Sequence, residues 1–153
     1  MGQNFAAATV LNPAGGVGYL HVDSNGALET VSVGEASNAV GLSASSGDVA
    51  AGTATANLTG NATTTPYLAG ILISGTGATA AGVVDATVSG LQGGNLTIPV
   101  VVPAGNTTGI TPVQLNFSPP LKGAAENGTI TVSVGSFGSG NLHAAVNAWG
   151  FRE

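Results

Sequence analysis

The sequence predicts an all-β protein: an antiparallel β-sandwich or jelly-roll-like domain, preceded by an extended N-terminal arm and a β-hairpin. Three observations predict it. Short β-branched runs recur at residues 67–73, 83–88, 96–102, 113–117, 129–134 and 142–151. Clusters of Gly, Pro, Asn, Ser or Thr bound each run, and evenly spaced strands between turn signals are the pattern of two packed antiparallel sheets. Two further runs, 17–22 and 27–33, flank Asp23-Ser24-Asn25-Gly26. Asn-Gly tolerates positive φ at both central positions of a tight turn, which matches the twist of paired strands.

The elements follow in chain order. Residues 1–16 read as an arm. Phe5 and the apolar run Ala6-Ala7-Ala8-Thr9-Val10-Leu11 are followed by the breaker Asn12-Pro13-Ala14-Gly15-Gly16. The run is too short for a helix that is stable alone, so its order must come from outside. Phe5 has no local core to join and is expected to insert into a partner's groove. The hairpin after the arm alternates Tyr19 and His21, and then Leu28 and Thr30, across its faces and is marginal in isolation. It must therefore dock on the sandwich or on a neighbouring subunit.

Residues 34–65 are dominated by Ala, Ser, Gly and Thr. They read as a linker or a draped loop, with one weak strand at most between 49 and 58. The division expected is therefore 1–65 for arm, hairpin and linker, and 66–153 for the sandwich. Within the sandwich, Pro99 and Pro112 cannot donate to a ladder, which assigns them to edge strands or strand starts. Pro119-Pro120 should end the fourth strand.

Composition narrows function more than any motif does. Hydrophobic residues make up 43% of the chain and charged residues only 6%, against roughly a quarter charged in ordinary soluble domains. Either Ser, Thr, Asn and Gly keep this surface soluble, or a partner covers part of it. Net charge is −5, and Lys122 and Arg152 are the two basic residues. Phosphate backbones and anionic lipid both require clustered cations, so neither nucleic acid nor a membrane surface is an expected partner. The first 65 residues hold four acids and no base. There is no cysteine, hence no disulfide framework and no thiolate nucleophile. The first residues lack the basic and apolar segments of a signal peptide, and no run has the length of a membrane-spanning helix. Six Asn-x-Ser/Thr triplets, at Asn57, Asn61, Asn95, Asn106, Asn116 and Asn127, read as a by-product of composition.

No catalytic constellation is expected, and no cofactor or metal. His143 with Asp85 would need a nucleophile held beside them, and nothing here resembles a nucleophile elbow. Two distant histidines and sparse carboxylates do not supply three or four zinc ligands. Asp23-Ser24-Asn25-Gly26 lacks the distal glutamate of a calcium loop. The glycine-rich Ser74-Gly75-Thr76-Gly77-Ala78 lacks the ending of a phosphate loop. The candidate protein-interface residues are Phe5, Val10, Leu11, Tyr19, Trp149, Phe151 and Arg152. Trp149 and Phe151, with Tyr67, read either as core filling at the ends of the sandwich or as an aromatic contact with another subunit.

Several phrases resemble small virion proteins of tailed bacteriophages: Tyr67-Leu68-Ala69-Gly70-Ile71, Gly75-Thr76-Gly77-Ala78-Thr79-Ala80-Ala81, Val102-Pro103-Ala104-Gly105, and Asn141-Leu142-His143-Ala144-Ala145-Val146-Asn147-Ala148-Trp149-Gly150-Phe151. The hairpin Leu20-His21-Val22-Asp23-Ser24-Asn25-Gly26-Ala27-Leu28 is similar to phage structural polypeptides. The class most resembled is the capsid decoration, or cement, protein. This resemblance implies a homo-oligomer, often a trimer, on the outer capsid surface of the virion, with the major capsid protein as partner. It brings no site residues. A tail or head-fibre module for host attachment, binding glycans through aromatics such as Tyr19 and Tyr67, is the alternative.

Overall fold

A computed structural model of the chain describes residues 9–11, 17–19 and 39–153. The chain divides into two units, Met1–Glu35 and Ala36–Glu153. In the first, β1 (Thr9–Leu11) pairs antiparallel with β2 (Val17–Tyr19), Val10 opposite Gly18. The apolar run of the arm thus contributes a strand. Phe5 and the turn Asp23-Ser24-Asn25-Gly26 lie outside the described residues, and of Val10, Leu11 and Tyr19 only the strand backbone is described.

The second unit is an eight-stranded antiparallel sandwich, and among the described residues there is no helix. Its strands are β3 (Val40–Ser45), β4 (Ala54–Thr59), β5 (Pro66–Gly75), β6 (Gly82–Ser89), β7 (Leu96–Val102), β8 (Val113–Lys122), β9 (Thr129–Val134) and β10 (Ala144–Arg152). The pairing is nested. β3 pairs with β10, β4 with β9, β5 with β8 and β6 with β7, so the chain forms one long hairpin with the β6–β7 turn at its tip. That hairpin wraps until β10 meets β5 and β9 meets β6. The result is two four-stranded sheets, β3-β10-β5-β8 and β4-β9-β6-β7, the wrapped arrangement of a jelly roll.

Alternation along the strands builds the core between the sheets. From one sheet come Leu68, Ile71, Ile73, Val146 and Ala148; from the other come Ala54, Leu58, Val88, Ile130, Val132 and Val134, all 0–1% exposed. Leu42, Ala44, Leu115 and Phe117 pack against this cluster from the first sheet's edges. Valine, isoleucine and alanine dominate. Five alanines (Ala54, Ala56, Ala86, Ala144, Ala148) are fully buried on strands, and Phe137 is the aromatic side chain buried in the core cluster.

Two expectations are corrected here. The sandwich begins near residue 36, not at 66, because the stretch read as a linker holds β3 and β4, one edge of each sheet. Alanines and threonines at alternating positions are enough for a strand when a neighbour supplies the larger partners. Ala54, Ala56 and Leu58 face inward while Thr55, Asn57 and Thr59 face out. Pro119-Pro120 also do not end a strand. β8 runs on to Lys122 after an excursion at 117–120, between the pairs Gly70↔Asn116 and Leu68↔Leu121. β8 is an edge, so its missing proline N–H groups leave no partner strand unpaired. Pro99 on β7, and Pro112 just before β8, also sit on edge strands or at their start.

One buried polar group ties the loops at one end of the sandwich. Asn141, 2% exposed, donates from Nδ2 to the carbonyl oxygens of Thr76 (2.7 Å) and His143 (3.1 Å). Its neighbours are acceptors, which places the NH2 toward them and leaves Oδ1 without a partner. Asn141→Ala should cost about 1–3 kcal/mol in urea unfolding. Asn141→Asp should cost more, because a carboxylate would then face those same carbonyls.

Candidate functional site

The two outer faces of the sandwich differ in kind. On β4-β9-β6-β7 the outward side chains of β4, β9 and the C-terminal half of β6 form an uncharged polar ladder, while Val83, Asp85 and Val101 face out at the other end of β6 and β7. Thr59 meets Thr129 at 3.1 Å, Thr87 meets Ser133 at 3.0 Å, and Thr131 donates to Asn57 at 2.9 Å. Cross-strand hydroxyl pairs of this type satisfy one another. They keep this face wettable with few charges.

On β3-β10-β5-β8 the outward face is aromatic. The register sets it out in rows. Phe151 on β10 lies opposite Tyr67 on β5, and Tyr67 opposite Lys122 on β8. The Tyr67 and Phe151 rings are stacked, with centroids 4.9 Å apart and planes 8° from parallel. The Lys122 ammonium lies 6.0 Å from the Tyr67 centroid, at the outer limit of a cation–π contact. In the next row Trp149 lies opposite Gly70, and Gly70 opposite Asn116. A Cβ at position 70 would come within 2.4 Å of Trp149 Cζ2, 2.6 Å of its Cε2 and 2.9 Å of Asn116 Oδ1. The indole therefore covers the backbone at Gly70, with the Asn116 amide beside it. Tyr67, Trp149 and Phe151 are all half-buried.

This placement bears on one sequence reading of the aromatics, core filling. Trp149, Phe151 and Tyr67 do not fill the core. Ala144, Val146 and Ala148 take the inward positions of β10, which sends the odd-numbered residues outward. Arg152 adjoins Phe151 at the end of β10, opposite Pro66. The chain's two basic residues thus lie one rung apart at one end of one sheet. Phe5, Val10, Leu11 and Tyr19 belong to the other unit, and their side chains lie outside the described residues.

Gly70, Asn116 and Lys122 were not among the interface residues expected from sequence. The signal available was parity. Asn147 and Trp149 share a face that cannot be the core face when Ala144, Val146 and Ala148 occupy the other. Cross-strand partners such as Asn116 depend on register, which no local pattern carries.

The face continues into an open groove of about 790 Å³. The β8 excursion, Phe117 to Leu121, forms one wall, and Leu91, Gln92 and Leu96 of the β6–β7 turn region form the other. Asn116 and Lys122 line the groove as well as the aromatic rows. Two backbone bonds brace it, Gln92 N–H to the Lys122 carbonyl (3.0 Å) and Ala124 N–H to the Gly90 carbonyl (2.9 Å).

His143 lies elsewhere. Its Nδ1 is 2.6 Å from Asp48 Oδ2, with side chains 57% and 60% exposed. Its carboxylate neighbour is therefore Asp48, on the loop after β3, and not Asp85. Among the described residues, no hydroxyl hydrogen-bonds the ring. A contact this exposed contributes at most about 1 kcal/mol.

Compared with known proteins, the chain matches no family model, no curated protein and no solved structure.

Proposed function

We propose that the chain is a structural virion protein, a capsid decoration or cement protein. It sits as a homotrimer on the outer surface of a phage head and ties capsomers of the major capsid protein together. One observation carries this reading: exposed aliphatic side chains on a surface almost without charge. Val83 and Val101 face each other across β6 and β7 and are 64% and 71% exposed. Val40 and Leu142 are 49% and 47% exposed. With charged residues at 6% of the chain, little opposes close approach of a protein surface, and little steers the molecule to a polyanion. A separate N-terminal unit, Met1–Glu35, ahead of the sandwich suits a protein that contacts more than one neighbour. Many copies on a lattice convert weak single contacts into firm attachment.

Quantitative mass spectrometry of purified virions tests the proposal. The protein should approach the copy number of the major capsid protein, and a few copies per particle would overturn the reading. In the same preparation, Val83→Lys with Val101→Lys should reduce head occupancy by about tenfold or more. The isolated protein should keep its circular dichroism spectrum, since both side chains point to solvent.

A further inference from the structure

We propose that the outer face of β3-β10-β5-β8, centred on Trp149, is a saccharide-binding site that extends into the groove beside β8. Trp149 is the chain's only tryptophan. Its indole lies over Gly70, where any larger residue would lift it from the sheet. A half-buried indole in this position keeps part of its surface toward solvent. Core packing does not account for that, because the core is on the opposite side of the sheet. The π face is electron-rich and attracts polarised C–H groups. A pyranose offers such C–H groups on its flat side and hydroxyls around its rim.

The surroundings suit those hydroxyls. Asn116 borders the indole. Asn147 lies two residues before Trp149 on the same face, and Gln114 shares its row through Leu72. Amides donate and accept, as sugar hydroxyls do. Among the outward residues of these rows there is no carboxylate. Charge separates this ligand from the other polymer that stacks on aromatics. A single-stranded nucleic acid needs a cationic track, and this chain has Lys122 and Arg152 against seven acids. The groove provides length. None of Tyr67, Trp149 and Phe151 lines it, but Asn116 and Lys122 border both the groove and the aromatic rows, which lets a chain of sugars seated on Trp149 reach it past Asn116. Binding mainly through shape, one aromatic and a few convergent amides is the usual chemistry of a small-molecule site.

The test uses the full chain and a printed array of short neutral and carboxylated oligosaccharides. At least one class should bind. The tightest binder is then titrated by calorimetry, and it should also change the fluorescence of the single tryptophan in the unaltered protein. Trp149→Ala should weaken binding by about tenfold or more, Trp149→Tyr should restore most of it, and Asn116→Ala should weaken it several-fold. All three should leave the thermal midpoint within a few degrees. No binding on the array, or binding indifferent to Trp149→Ala, overturns the site. Copy number on virions does not enter this test, so the capsid proposal and the saccharide site can fail separately.

Discussion

A fragment comprising residues 66–153 is expected not to fold, whereas residues 36–153 should unfold in a single cooperative transition. The shorter piece contains every strand that the sequence assigns to the sandwich, yet it lacks β3 and β4. β3 is the hydrogen-bonded neighbour of β10, and β4 of β9. Their loss turns two interior strands into edges and strips one flank from each sheet. It also removes Ala54, Ala56 and Leu58, each at most 1% exposed, and the packing of Leu42 and Ala44. Burying one leucine fully contributes about 1.5–3 kcal/mol, and the total stability of a domain this size is about 5–15 kcal/mol. Losing five inward side chains and two ladders exceeds that margin. Circular dichroism with thermal melting of both fragments decides the matter. A monomeric 66–153 fragment with a sigmoidal melt would show that β3 and β4 are ornaments on a smaller core.

Gly150→Ala should destabilise the sandwich by about 3 kcal/mol or more, at the severe end of overpacking. A Cβ at position 150 would lie 1.8 Å from the Tyr67 carbonyl oxygen and 3.1 Å from the Ala69 nitrogen. Those are backbone atoms and cannot rotate away. The register between β10 and β5 shifts at this point, with Trp149 opposite Gly70 and Gly150 opposite Leu68, so Ala69 is the extra residue of a bulge. Relieving the clash means separating two central strands where they hold the aromatic rows. For a domain of this size the loss should lower the melting temperature by roughly 10 °C or more. Trp149 fluorescence should shift to the red as its ring leaves Gly70. Gly41→Ala is the control. It sits one rung away, opposite Phe151, and a Cβ there meets nothing within 4 Å. It should be neutral or slightly stabilising.

Five of the six β-branched runs named from sequence lie wholly within strands, the sixth, 142–151, starts two residues before β10, and two of them, Leu96–Val102 and Thr129–Val134, have the same ends in the fold. Runs such as Thr129-Ile130-Thr131-Val132-Ser133-Val134 are legible because apolar and polar residues alternate with the period of the pleat. Val40–Ser45 was not legible as a strand, and Ala54–Thr59 was legible only as one weak strand within the linker. Their inward residues are mostly alanine, and alanine carries little strand preference of its own. The continuation of β8 beyond Pro119-Pro120 was hidden for a related reason. Proline is a stop signal locally, and only its place on an edge makes it harmless.

By itself, the sequence determined that the chain is β, antiparallel and poor in charge, because residue type and period-two alternation are local properties. The tertiary structure decided how the long hairpin wraps and which strands become edges. It also decided that Trp149, Phe151 and Tyr67 face solvent together, with the chain's two cations at the same end of the sheet. Those outcomes depend on register between strands distant in the chain. Register is set by which faces can be buried together, so it exists only once the sheets have packed.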